Sequence, residues 1–445
     1  MKKNNLVYYF KLKIINQIFK FSSVKKSKVI FAFFIFSFFN NSVLLAQLVY
    51  NNGATIAIKN GATVIVKTGS ATNFAGTIDN AGLFQIEGNF TNVANANGGG
   101  ASGVYKVQNN WINNGTFVPN NSQVELYGTN QLITGSSVTD FYILSLTGTG
   151  IKSQTIDARV NNLLELNDRE LATANFKMTI LNTNVNAITR TSGFVSSLGN
   201  GRLSRLMAST GIYLFPVGSS LGISRYRPLT ITPTNAAPQQ YDVRLANVDA
   251  NTESFNRNNK TAAICEINPN YFHHINRISG LTPVSLNFFY DPVTDGNWAS
   301  IGHWQNIPQW QNTGTVIAGV AAPFNTLSVL SWNDFTYSPF SLVNLGPNAT
   351  ISGTATFCAG TSGSIIFTGT PNAVITYNIN GGSALTLTLD AAGNAILNTG
   401  VLASTAVYNL ISAVLPTNPS CVHFFTSQVT LTVNAITLLS PLYHD

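Results

Sequence analysis

Charge is scarce in this sequence. Of 445 residues only 9% are Asp, Glu, Lys or Arg, while 44% are hydrophobic. A disordered chain needs the opposite balance, so the composition argues against disorder, and roughly two to four domains are expected. The formal charge of +7 is concentrated at one end. Residues 1–46 hold eight of the 24 Lys+Arg and no Asp or Glu, and without them 16 basic residues face 17 acidic ones. The basic footprint of a nucleic-acid binder is therefore missing, and no nucleic-acid partner is expected. A second long apolar run is also lacking, so no transmembrane segment is expected after residue 46. No Cys directly follows the first run, so a lipid-modified N-terminus is not expected. Enzyme motifs are missing too. There is no Gly-x-Ser-x-Gly elbow, and Gly360-Thr361-Ser362-Gly363 lacks the strand-to-helix setting. No glycine loop precedes a helix to cradle phosphate. The acids of the first region (Asp79, Glu87, Glu125, Asp140, Asp157, Glu165, Asp168, Glu170) form no close pair for glycoside chemistry. Neither catalysis nor a cofactor is expected.

What is present begins with an export signal. Residues 29–39 read VIFAFFIFSFF, preceded by lysines and followed by Leu44-Leu45-Ala46-Gln47. A charged start, a short apolar core and a small residue before the cut make a signal peptide over residues 1–46. A membrane anchor is the alternative; Asn40, Asn41 and Ser42 interrupt the run and make spanning marginal.

Alternation dominates the remainder, as in Thr55-Ile56-Ala57-Ile58-Lys59 and Leu83-Phe84-Gln85-Ile86-Glu87. Each run is short and bounded by Gly, Asn or Ser, which predicts an all-β chain. Residues 53–59 (GATIAIK) recur eight residues later as 61–67 (GATVIVK). Phe90-Thr91-Asn92 and Trp111-Ile112-Asn113 lie about one solenoid coil apart. Asn is abundant, at 54 residues, and with Gly accepts the left-handed backbone of corners. The pattern predicts a β-solenoid over residues 47–209, with 95–102 (NANGGGAS) as an insertion between coils. An ordinary sandwich is the competing reading. Residues 211–344 are richer in aromatics and charge and read as a β-sandwich. A turn-rich linker at residues 345–348 leads to a third module at 349–434, whose size and turn spacing fit an immunoglobulin-like sandwich. Residues 435–445 carry no pattern and are read as an unstructured tail.

Residues 351–361 (ISGTATFCAGT), 367–373 (FTGTPNA) and 377–382 (YNINGG) resemble the PKD-like/Ig-like repeats of large secreted surface proteins of gliding Bacteroidetes. Phe215-Pro216-Val217-Gly218, with Tyr226-Arg227-Pro228, looks like a segment common in those proteins. Asp291-Pro292, Trp304-Gln305 and Trp310 look like the end of the same unit. The resemblance implies export by the type IX system and display as adhesin-like or gliding-associated components. Such proteins usually end in a sorting domain; this sequence stops at Asp445 without one, so truncation is an expectation.

Three cysteines remain to be placed. Cys358 and Cys421 lie near the two ends of the third module, and in an exported chain they are expected to form a disulfide. Two free thiols is the alternative. Cys265, among apolar neighbours, is expected to be a buried thiol, with intermolecular pairing as the other option. His273, His274, Asp291, Asp295 and His303 are the only metal-like or acid/base cluster. Adjacent His residues on a strand point to opposite faces. Residues 291–297 (DPVTDGN) resemble half of a calcium loop, but Val293 stands where an oxygen ligand is needed, so a turn is the better reading and no metal is expected. Trp298, Trp304 and Trp310 recur every six residues. An exposed row of them would stack on sugar rings; packing inside the sandwich is the plainer expectation. The functional expectation is a secreted structural or adhesive surface protein meeting extracellular polysaccharide or cell-surface components. A carbohydrate-binding or carbohydrate-cleaving protein is the runner-up.

Overall fold

A computed structural model describes residues 43–46, 48–97, 103–353 and 356–434. Residues 1–42 of the expected signal peptide, residues 98–102 of the expected insertion and the expected tail at 435–445 lie outside the described residues.

The chain is all-β, and its first part is a β-solenoid of about seven turns. Each early turn supplies three short runs that stack in parallel on the next turn. Asn51, Asn73, Asn92 and Asn113 stack in the first run. Ile56, Ile78, Ala96 and Phe117 stack in the second. Val66, Ile86, Val107, Leu126 and Leu146 stack in the third. The eight-residue echo is therefore not one coil repeating. Its halves fall on consecutive runs of a single turn, Val49–Ile58 and Thr63–Val66. A glycine makes the corner where geometry demands it: Gly76 has φ 85°, and a Cβ there would meet Ala54 O at 2.2 Å.

Alternation sends every second side chain inward. Phe84, Phe90, Tyr105, Trp111, Phe117 and Phe141 fill the early turns. Phe90 and Trp111 pack at a tilt with centroids 4.6 Å apart, and Trp111 meets Phe117 edge-on at 5.0 Å. Later turns replace rings by aliphatic residues such as Leu144, Leu164, Leu171 and Ile180. Interior amides need partners, because a buried polar group without one costs about 1–3 kcal/mol. The asparagines supply each other's. Asn51 Nδ2 donates to Asn73 Oδ1 (2.9 Å), Asn73 to Asn92 (3.0 Å) and Asn92 to Asn113 (2.9 Å). Their second amide hydrogens reach backbone oxygens, including Asn95 O and Thr116 O.

The solenoid does not end at a linker. Its strand Arg202–Met207 runs parallel to Lys177–Ile180 on one side and antiparallel to Gln239–Ala246 on the other. One sheet thus passes from the solenoid into the second region and continues through Phe272–Ser279, Pro339–Leu345 and Ser300–Trp304. A second sheet, ordered Tyr213–Phe215, Leu229–Pro233, Val284–Tyr290, Phe324–Trp332 and Ile317–Ala321, forms the other layer. Buried Arg205 pins the junction: its guanidinium donates to Leu214 O, Asn184 O and Val185 O.

The third module has two sheets and a separate core around Ile365, Phe367, Ile375, Tyr408 and Leu431. Only residues 346–348 separate its first strand, Ala349–Gly353, from Pro339–Leu345. That connection is held: Gly346 N donates to Ala263 O, and His423 Nδ1 donates to Pro347 O. Among the described residues, no helix is long and apolar enough to cross a membrane.

The cysteine pairing differs from expectation. Cys421 is bonded to Cys265, with Cα atoms 5.3 Å apart, and Cys358 is an exposed free thiol. Cys358 lies opposite Asn434 on the strand pair Thr356–Cys358 and Gln428–Asn434. Cys421 lies on Asn418–Phe424, which packs against Ile264–Ile267 of the sandwich. The bond therefore joins two modules rather than the ends of one.

Candidate functional site

The three tryptophans do not form an exposed row. Trp298, Trp304 and Trp310 are 8%, 6% and 0% exposed. Trp304 and Trp310 meet edge-to-face at 5.5 Å inside a core with Phe272 and Val343, and Trp298 Nε1 donates to Asp295 O. Strand pairing explains the spacing: Trp304 and Trp310 face each other across a short hairpin. None of the three indole faces is available to a sugar, and all three pack inside the sandwich.

The acid/base residues are separated and spent on structure. Asp291 caps the one-turn helix Pro292–Asp295, accepting from Val293 N at 3.0 Å. Asp295 is buried and accepts from Arg227 Nε and Nη2, from Tyr271 Oη (2.9 Å) and from Asp291 N (2.9 Å). His273 faces Arg227 O at 2.9 Å, and burial pushes its pKa down to about 4. His274, on the opposite strand face, bridges Ser338 and Glu253. Burial disfavours the Glu253 charge, but His274 and Arg244 outweigh it and hold the carboxyl at about 2. His303 Nε2 faces Tyr337 O at 2.8 Å. Among the described residues no group of three or more His, Cys, Asp or Glu is placed to hold a metal ion.

What the structure does offer is a groove of about 680 Å³ on the outer face of the solenoid. Successive turns build its floor: Asn110, then Asn130 and Leu132, then Ile151 and Ser153, then Glu170 and Ala172, then Ser196 and Leu198. Ser219, Ser220 and Leu221 of the sandwich overhang one end. The groove exists because the sandwich is fused to the last solenoid turn. Its lining is aliphatic and amide-rich, with no aromatic side chain. Glu170 is its one carboxylate, and the Ser196 hydroxyl donates to it. A lone hydrogen-bonded carboxylate lacks the second acid that glycoside cleavage uses. The arrangement suits contact with a neutral polar polymer through hydrogen bonds and aliphatic patches. Sequence reading missed it because its wall comes from residues that the repeat does not contain.

Beneath that face sits an uncommon buried lysine. Lys152 Nζ donates to Gly128 O (2.7 Å), Thr129 O (3.0 Å), Gln131 Oε1 (2.8 Å) and Thr149 O (3.1 Å). Burial lowers its pKa to about 8. The four acceptors give it a structural role at a solenoid corner. No known family profile, curated protein or solved structure matches the chain.

Proposed function

We propose that the chain is an exported surface protein with a structural or adhesive role. The carrying observation is mechanical continuity. One sheet runs from the solenoid into the sandwich, and a disulfide then ties the sandwich to the third module. Force applied at one end is passed through hydrogen-bonded strands and a covalent bond to the other. A disulfide between modules also fits an oxidising compartment outside the cytoplasm. In this reading the lysine-rich start and apolar run direct export, with the mature chain beginning near Gln47, and the modules belong with the adhesin-like surface proteins they resemble. Broad polar contact, by amides and hydroxyls with little net charge, makes the adhesive surface.

The groove favours a second reading, a carbohydrate-binding protein that holds neutral polysaccharide without cleaving it. A glycan array run beside a reducing-sugar release assay separates the readings. The scaffold role predicts no release and at most weak binding; binding lost in a Leu132→Asp variant promotes the second. Sustained release, abolished by Glu170→Gln, would overturn both.

A further inference from the structure

The strand Ile317–Ala321 is exposed at all five positions. It forms the outer edge of the second sandwich sheet and, among the described residues, pairs only with Phe324–Trp332. Val320 is 80% exposed and Ile317 is 54% exposed. Antiparallel pairs alternate between bonded and unbonded positions, so half of an edge strand's backbone groups face outward. Protein edges are usually protected by charge, by a bulge or by a covering segment. Among the described residues this one has none of these: residues 313–323 (TGTVIAGVAAP) carry no charge, and the register with Phe324–Trp332 is regular.

We propose that this edge pairs with the same edge of a second copy, antiparallel about Gly319. The sequence is self-complementary in that register. Ile317 falls opposite Ala321, Ala318 opposite Val320, and Gly319 opposite itself, so each large residue meets a small one on either face. A two-fold axis through Gly319 satisfies the isologous rule, since the same patch serves both partners. The copies do not repel strongly, because residues 47–445 hold 16 basic and 17 acidic residues. Five residues per copy bury less than the roughly 1,000 Å² a stable interface needs. The dimer is therefore weak and forms at high local concentration, as on a crowded surface. It gives the molecule a lateral contact of its own, separate from the solenoid groove.

Sedimentation velocity of the full mature chain, from micromolar to millimolar concentration, tests this. A reversible dimer is expected, and Val320→Lys should weaken it at least tenfold; that residue is open to solvent, so the fold tolerates the charge. Gly319→Cys, made with Cys358→Ser, should cross-link across the two-fold axis under mild oxidation. A chain that stays monomeric throughout, or a Val320→Lys variant that dimerises like the native chain, would overturn the proposal. So would loss of the dimer in Ile396→Lys alone, which would move pairing to another exposed edge, Asn394–Val401.

Discussion

The solenoid and the sandwich bury polar groups in opposite ways. The early solenoid turns use neutral amides that satisfy one another from turn to turn, at separations of 22, 19 and 21 residues along the ladder, and a later turn holds the charged Lys152 on carbonyl oxygens without a carboxylate. The sandwich uses charges brought together from far apart: Arg227 and Asp295 are 68 residues distant in sequence. A repeat places the same residue type in register each turn, so a neutral hydrogen-bond chain propagates with no charge to desolvate. A sandwich has no such translation, and its buried donors need strong partners held by tertiary packing. Along the asparagine ladder, regular stacking takes the place of ion pairing.

Breaking one ion should hurt more than breaking one rung. Asp295→Ala leaves Arg227 buried without its carboxylate and also strips Tyr271 and Asp291 N of a partner. The expected cost is about 3–5 kcal/mol, read by urea unfolding. A loss below about 1 kcal/mol would mean the pair is not buried as described.

Asn92→Ala removes the middle rung of the ladder. Asn73 loses an acceptor, and Asn113 Oδ1 and Thr116 O lose a donor. The expected cost is about 2–4 kcal/mol. Asn92→Asp should be worse still, because it buries a charge where the ladder supplies only one amide donor. An unchanged midpoint in both variants would refute the ladder.

Acid should act on the sandwich. An unfolded His titrates near 6.5, whereas His273 in the fold titrates at about 4. Between those values the unfolded chain binds more protons, so stability falls as pH drops from about 6.5 to about 4. The loss attributable to His273 is at most about 3 kcal/mol. Unfolding measured at pH 7 and pH 4.5 checks the sign, and His273→Gln should flatten the slope.

The smallest thermal effect is expected from Cys421→Ser. The solenoid and sandwich should keep their midpoint, because their core is separate from that of the third module. The third module should gain freedom, seen as a broader distance distribution in small-angle scattering. A matching drop in the solenoid midpoint would show the modules to be one cooperative unit.

The same contrast explains what was legible in the sequence. Strands and module order were readable because alternation and turns are local, and Phe90-Thr91-Asn92 against Trp111-Ile112-Asn113 carried the coil period. The ladder left a trace in the same triplets, since Asn92 and Asn113 each close one; reading those asparagines as corner residues hid their inward role. Cys265 with Cys421 was not readable, because their separation of 156 residues is bridged only by module docking. The packing of the tryptophans inside the sandwich was the plainer expectation, and the spacing of Trp304 and Trp310 has a physical reason: six residues is what a short hairpin needs to bring them opposite each other. The groove was invisible because one wall belongs to another module.

Solenoid and sandwich share one sheet through Arg202–Met207. Native-state hydrogen exchange on the full chain tests it most directly. Amides bonded between Arg202–Met207 and Gln239–Ala246 should exchange as slowly as those deep in the solenoid, near the free energy of global opening. Fast exchange at that strand pair, with slow exchange on both sides, would contradict the shared sheet and reduce the molecule to modules on a hinge.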